Sequence, residues 1–131
     1  MLLSSATAPL AQAMIGGTYT PLNNSSGKIG IGDSTTAAAK AQTDLQAGSN
    51  KTYLGMDATY PQISGSVITF QVTAGTSTAN YVWNEFLICD GSPGVAWDRF
   101  VQSLNGGVAK AAGQTWTLQV ALTMGRNDAA N

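Results

Sequence analysis

The sequence contains no histidine and a single cysteine, Cys89, among its 131 residues. Without histidine, the chain lacks the usual general base, any Ser-His-Asp or Cys-His arrangement and the commonest metal ligand. One cysteine excludes an intrachain disulfide and leaves too few ligands for a structural zinc site. We therefore expect Cys89 to be a small buried strand residue and not a reactive thiol.

Charged residues are also scarce, because Asp, Glu, Lys and Arg make up only 10% of the chain, against about a quarter in an average domain. The net charge is −1 and the basic residues are dispersed, so no cluster can neutralise phosphates, and we expect no direct nucleic-acid binding. No apolar run is long enough to cross a bilayer, and we expect no membrane association. A surface with few ions costs little to dehydrate against another protein. The basic residues are Lys28, Lys40, Lys51, Arg99, Lys110 and Arg126.

Glu85 is the only glutamate, and the other six acidic residues are isolated aspartates. A glycosidase places two carboxylates close together across the sugar, and the spacing of Glu85 from Asp57 or Asp98 does not support such a pair. Glu85 lies in an aromatic segment, and Arg99 follows in the next predicted strand. We predict a structural ion pair between Glu85 and Arg99 that fixes strand register, and we predict no catalytic residue.

Three further patterns have both a binding and a structural interpretation. Asp33, Asp44 and Asp90 lack the spacing of a calcium loop. The run from Gly30 to Asp33 lacks the third glycine of a dinucleotide fingerprint, so we interpret Gly30, Gly32, Asp33 and Ser34 as a turn with a helix cap. Aromatic residues at alternate strand positions are more typical of core than of a sugar-binding platform; they are Tyr81, Trp83, Trp97 and Trp116. No cofactor or metal site is predicted.

The alternation of apolar and polar residues predicts an all-β chain that forms a single antiparallel β-sandwich. One segment, residues 80–90, is apolar on both faces, which is typical of a strand buried on both sides. We divide the chain into an N-terminal arm (1–27), a sandwich domain (28–124) and a C-terminal tail (125–131). Strands are predicted at 28–32, 52–59, 66–74, 80–90, 96–104 and 116–124, with one short helix within 36–46.

The arm carries a short apolar helical face that Gly16 and Gly17 end. Ala11-Gln12-Ala13 mimics a signal-peptidase site, but no basic residue precedes Lys28, and Pro9 interrupts the apolar run, so we expect no secretory signal. Such a segment buries too little apolar surface to hold itself in place. We predict that residues 1–17 can be removed without unfolding the domain and that the arm contacts a partner through Leu10, Met14, Ile15 and Tyr19.

The order of several segments carries a family resemblance. Gly30-Ile31-Gly32-Asp33-Ser34-Thr35-Thr36 leads into Thr43-Asp44-Leu45-Gln46, then Tyr60-Pro61, then aromatic strands. Over roughly residues 28–124, this order resembles a segment of small structural proteins of tailed-bacteriophage virions. The resemblance implies a non-enzymatic virion building block, assembled in the host cytoplasm, that contacts the major capsid protein or tail and collar proteins and forms homo-oligomers in the particle.

Within that class, a small domain of low charge suits a head decoration, or cement, protein repeated over a capsid lattice. The alternative is a small tail, collar or fibre-associated protein that contacts host surface glycans. A third hypothesis, a polysaccharide hydrolase, is disfavoured by the missing histidine and by the absence of a paired-carboxylate spacing.

Overall fold

Seven strands and one α-helix make up most of the regular structure in the computed structural model, which describes residues 1–125. The helix is α1 (Thr7–Ile15), preceded by a 3₁₀ turn at Ser4–Ala6; a second 3₁₀ turn lies at Asn105–Gly107. The strands are β1 (Lys28–Gly32), β2 (Lys51–Gly55), β3 (Gln62–Ser64), β4 (Val67–Ala74), β5 (Glu85–Cys89), β6 (Ala96–Val101) and β7 (Trp116–Thr123).

The strands form two antiparallel sheets that pack against each other. The first sheet has the order β2-β1-β5-β6, and the second has the order β3-β4-β7. Alternate side chains of both sheets meet in the main core; they include Ile29, Ile31, Phe86 and Ile88 from the first sheet and Phe70, Val72 and Val120 from the second. The all-β sandwich predicted from the period-two pattern is confirmed.

The outer face of the first sheet is also buried, beneath two irregular segments. Residues 1–6 run beside β6, where the Leu3 N–H donates to the Trp97 carbonyl at 2.9 Å. Residues 33–50, which we call the cover segment, lie over β1 and β5. Between these two segments and the first sheet lies a second apolar cluster, which consists of Leu3, Leu45, Leu87, Cys89 and Ala96. This cluster explains why β5 is apolar on both faces, as its sequence predicted.

The two sides of the sandwich differ. On one side, the chain crosses from β2 to β3, and the Asp57 N–H donates to the Gln71 carbonyl of β4 at 2.8 Å. This crossing links the two sheets. On the other side, β6 and β7 are separated by a groove of about 360 Å³, whose lining includes Phe100, Leu104, Leu118 and Leu122.

The helix predicted within residues 36–46 does not form, and the cover segment has irregular backbone instead. The Gln46 and Ala47 N–H groups donate to Glu85, and the Thr36 carbonyl accepts from Arg99. These tertiary hydrogen bonds outweigh the helical propensity of the local alanines. The α-helix lies in the arm and ends at Gly16, which adopts the left-handed conformation with φ +69°.

Other predicted bounds are also wrong. The strand predicted at 80–90 begins only at Glu85, because the Trp83 indole donates to the Ala79 carbonyl and an irregular segment places Trp83 in the core. The strand predicted at 52–59 ends at Gly55, and β3 is too short to show an alternation in the sequence. Most of the predicted tail lies outside the described residues.

Candidate interaction surfaces

The ion pair predicted between Glu85 and Arg99 is present beneath the cover segment, and both side chains are fully buried. Arg99 Nε and Nη2 donate to Glu85 Oε2 at 3.0 and 2.7 Å. Arg99 also donates to the cover segment, from Nη1 to Gln42 Oε1 and from Nη2 to the Thr36 carbonyl, each at 2.9 Å. Extensive hydrogen bonding of this kind is what allows a protein to bury an ion pair.

The Glu85 carboxylate completes the attachment of the cover segment. Oε2 accepts the Gln46 N–H at 2.8 Å, and Oε1 accepts the Ala47 N–H at 2.7 Å. The ion pair therefore joins β5, β6 and the cover segment. The opposite charges of Glu85 and Arg99 made the pair predictable from the sequence. Their hydrogen-bond partners in the cover segment are uncharged, so nothing in the sequence indicated them.

Gly30 and Gly32 lie within β1, and not in the turn that we predicted. A Cβ on Gly30 would stand 3.1 Å from Leu45 Cδ1 and from Tyr53, and a Cβ on Gly32 would stand 2.9 Å from Glu85 Cδ and Cγ. The missing side chains let Leu45 and the Glu85 carboxylate lie directly against the backbone of β1. The two glycines therefore make room for the cover segment.

Asp33 and Ser34, predicted to cap a helix, begin the cover segment instead. Asn50 Nδ2 donates to Asp33 Oδ2 at 2.7 Å, and Asn84 Nδ2 donates to the Asp33 carbonyl at 2.9 Å. Ser34 Oγ accepts the Thr36 N–H at 3.1 Å. The cap prediction is wrong because no helix follows, but these side chains do satisfy local backbone groups.

Asp44 fastens the other end of the cover segment to β2. Its carboxylate accepts a hydrogen bond from the Tyr53 hydroxyl, and it forms an ion pair with Lys51 at 3.4 Å. Burial, together with the Asp44 carboxylate, raises the pKa of Tyr53 well above its usual range. Tyr53 consequently remains a neutral hydrogen-bond donor at physiological pH.

The arm is only partly separate from the sandwich. Leu3 and Ala6 are fully buried, so removal of residues 1–17 would open both apolar clusters. The structure therefore argues against the prediction that this deletion leaves the domain folded, and we expect the deletion to destabilise it. After Ala6 the arm packs less closely on the sandwich, since α1 has no fully buried residue.

The four predicted contact residues of the arm lie in different environments. Leu10 is half-buried and packs against the main core. Met14 and Ile15 are 86% and 81% exposed at the end of α1, and Tyr19 is 38% exposed. A nine-residue helix is marginal in water without packing. The end of α1 thus presents two adjacent, unpacked apolar side chains.

The outer face of the second sheet is polar and carries no charged side chain on β4 or β7. Gln119 Nε2 donates to Gln71 Oε1 at 2.7 Å, and the Thr73 and Thr117 hydroxyls are 3.1 Å apart. The polar groups satisfy one another in rows across the two strands. The Asp57 carboxylate accepts hydrogen bonds from Gln71 and Thr73 at the β4 side of this face. The β7 side carries no ion that would lose its hydration shell, so it costs little to cover with protein.

Cys89 and Lys110 are both structural residues, and Cys89 lies buried in β5 as the sequence predicted. Cys89 is fully buried, and burial raises the pKa of its thiol to about 11, whereas reactive cysteines have lowered pKa values and partial exposure. Lys110 is 1% exposed and donates to the Gly75 carbonyl at 2.6 Å and to Asn80 Oδ1 at 2.7 Å. It therefore ties the chain before β7 to the loop after β4.

The carboxylates considered for glycoside hydrolysis do not converge. Glu85 faces the cover segment, while Asp98 pairs in register with Ile88 and so lies on the opposite face of the first sheet. Asp57 accepts hydrogen bonds from Gln71 and Thr73 on the second sheet. Among residues 1–125, no three acidic, histidine or cysteine side chains lie close enough together to hold a metal ion.

The aromatic residues serve the core, as predicted. Trp83 and Trp97 are buried, and Trp116 packs edge-on against Trp83 with ring centroids 5.0 Å apart. They do not form an open platform for sugar stacking. In the described part of the chain, no helix has the length and apolar character required to span a membrane.

Comparisons with protein-family models, with curated proteins and with solved structures found no match to this chain. The features that point outwards are the apolar end of α1, the outer face of the second sheet, to which β4 and β7 contribute no charged side chain, and the strand edge beside the groove.

Proposed function

We propose that this chain is a non-enzymatic structural protein of a tailed-bacteriophage virion, assembled in the host cytoplasm, and that it decorates the capsid lattice. The proposal starts from the order of segments, from Gly30 through Gln46 to the aromatic strands, that resembles small virion proteins. In this chain the cover segment, which contains the end of the first of those segments and all of Thr43-Asp44-Leu45-Gln46, closes over β1 and β5 through the hydrogen bonds of Glu85 and Arg99. These residues stabilise the fold of the domain. In this proposal, other exposed surfaces of the chain make the contacts with neighbouring subunits.

The observation that carries the proposal is the exposure of Met14 and Ile15 at the end of a helix that has no fully buried residue. A neighbouring capsid subunit would supply the missing packing. Burial of each side chain contributes roughly 1.5–3 kcal/mol before ordering costs. Such a contact is weak for one copy and becomes substantial when it is repeated over a lattice.

The position of Glu85 supports a role without catalysis. Its two carboxylate oxygens accept four N–H donors, from Arg99 Nε and Nη2 and from the backbone of Gln46 and Ala47. A general acid or base must reach the substrate within hydrogen-bond distance. Glu85 is fully buried beneath the cover segment and offers no oxygen to a substrate.

Particle incorporation tests the proposal. Virions made with Met14→Ser and Ile15→Ser together should carry several-fold fewer copies than wild-type virions, as measured by quantitative mass spectrometry. Ala11→Ser with Ala13→Ser changes exposed positions of the same helix without removing a large apolar side chain, and it should incorporate normally. Equal occupancy of the two variants would contradict contact through the end of α1.

The wild-type copy number separates the two virion locations. A lattice decorator should be present in hundreds of copies, whereas a tail, collar or fibre component should be present in about six or twelve, following the symmetry of those structures. Absence of the chain from purified virions would overturn the proposal as a whole.

A further inference from the structure

Three of the four outer strand edges of the two sheets are short, charged or already paired, as is usual in proteins that avoid edge-to-edge aggregation. The edge of β6 is occupied by the first residues of the chain, because the Leu3 N–H donates to Trp97 and the Arg99 N–H donates to Met1. The edge strand β3 has only three residues. The edge strand β2 has five and begins at the charged Lys51.

The edge of β7 has none of these protections. It runs for eight residues without a charge, a proline or a shift in its register with β4. The Met124 N–H donates to the Ser66 carbonyl at 2.8 Å, so even-numbered residues of this strand direct their backbone groups towards β4 and odd-numbered residues direct theirs away. Within residues 1–125 no hydrogen bond reaches these outward groups, which belong to Thr117, Gln119, Ala121 and Thr123.

We propose that β7 pairs with β7 of a second copy of this chain, antiparallel about a two-fold axis at Val120. That register sets Leu118 opposite Leu122 on the core face, and it sets Thr117 opposite Thr123 and Gln119 opposite Ala121 on the outer face. Apolar side chains meet apolar ones, threonine meets threonine, and no like charges meet. The outward N–H and C=O groups of each β7 gain partners, and the two second sheets become one continuous sheet.

The groove beside β7 gives the core-face leucines of a second copy apolar neighbours. Leu118 and Leu122 line this groove with the half-buried Phe100 and Leu104, and Asp98 and Gln102 add polar groups to the same lining. In the proposed register, the same leucines of the second copy extend the apolar part of that lining. Strand pairing alone buries less than the roughly 800 Å² per partner of a standard interface, so the free chain forms a weak, concentration-dependent dimer. This inference concerns the chain itself and does not depend on the proposed function.

Sedimentation equilibrium of the full chain over a wide concentration range tests the pairing. Gln119→Lys with Ala121→Lys sets lysine opposite lysine in the two symmetry-related pairs of residues 119 and 121, and it should raise the dimer dissociation constant by about tenfold or more. Gln119→Lys with Ala121→Glu sets lysine opposite glutamate and should keep the dimer. Gln62→Lys with Ser64→Lys adds the same charge to the exposed strand β3 and should leave dimerisation unchanged. Circular dichroism checks that each variant is folded.

Each alternative result identifies a different error. A wild-type chain that stays monomeric at millimolar concentration, or that forms only trimers, overturns the two-fold pairing. Dimerisation that survives the lysine pair places the interface away from β7, and loss of the dimer in the lysine–glutamate variant rejects the register centred on Val120. A dimer that forms only after removal of residues 126–131 shows that the chain's own C-terminal segment, and not a second copy, occupies the edge.

Discussion

The carboxylate of Glu85 fills the space that a side chain on Gly32 would need. A Cβ on Gly32 would stand 2.9 Å from both Cγ and Cδ of Glu85, closer than such atoms approach in folded proteins. This proximity connects the glycines of β1 with the buried ion pair and with the cover segment that the ion pair holds.

Replacement of Gly32 by Ala should lower the free energy of unfolding by about 1–3 kcal/mol, because the methyl group must displace the Glu85 carboxylate from its partners. Gly55→Ala is the matched control, since Gly55 ends the neighbouring strand β2 and a Cβ there meets no atom within 4 Å. Urea denaturation measures both variants. Equal stability of the two would show that the first sheet shifts freely to accommodate the methyl group.

Breaking the Glu85–Arg99 pair from one side should be costly. Glu85→Gln and Arg99→Met should each lower the free energy of unfolding by about 3–5 kcal/mol, because each leaves a buried charge without its counter-ion. The double variant should lose less than the sum of the single losses, and a double-mutant cycle in urea measures the difference. Strict additivity would contradict the coupling of the two residues.

The first residues of the arm should behave as core. Leu3→Ala should lower the free energy of unfolding by about 2–5 kcal/mol, since Leu3 is 1% exposed in the second apolar cluster. Leu2→Ala makes the same chemical change at the adjacent, 44% exposed residue and should cost much less. Similar losses for the two variants would mean that residues 1–6 are not docked in solution as they are in the structure.

The two faces of β7 should respond differently to charge. Val120→Asp should prevent folding, because it places an unpaired carboxylate in the main core, and Leu118→Asp should be strongly destabilising for the same reason. Ala121→Asp puts the same group on the exposed outer face, so the free energy of unfolding should change by about 0.5 kcal/mol or less. Circular dichroism and thermal melting at low concentration distinguish them, and a soluble Val120→Asp variant with an unchanged melting temperature would contradict the sandwich assignment of β7.

Stability should fall at alkaline pH. Burial raises the pKa of Cys89 from its ordinary value of 9.0 to about 11, so between these values the unfolded chain releases a proton that the folded chain retains. This contribution to stability is complete below about pH 9 and is lost as the pH rises towards 11. Cys89→Ala should flatten the fall in free energy of unfolding between pH 9 and 10; Tyr53 and Tyr81, whose pKa values burial also raises, contribute only above their ordinary value of 10.0. An unchanged slope in the Cys89→Ala variant would contradict this assignment.

Local patterns in the sequence predicted the parts of the fold that depend on near neighbours. The alternation along Trp116–Thr123 and Val67–Ala74 predicted two strands of the second sheet, because successive side chains of a strand point to opposite faces. Gly16 marked the end of α1, because it adopts the left-handed conformation without steric cost. The opposite charges of Glu85 and Arg99, in consecutive predicted strands, were enough to predict their ion pair.

Only the tertiary structure decided what covers the outer face of the first sheet and which strand edge stays open. The Ala-rich residues of the cover segment have local helical propensity, yet they remain irregular because Gln46 bonds to Glu85, a residue 39 positions away. Gly30 and Gly32 suggested a turn, but they lie in β1, where Leu45 packs against Gly30 and Glu85 against Gly32. The unprotected edge of β7 emerges only from the order of the strands. These features depend on contacts between residues far apart in the chain, and such contacts leave no periodic signal in the sequence around either partner.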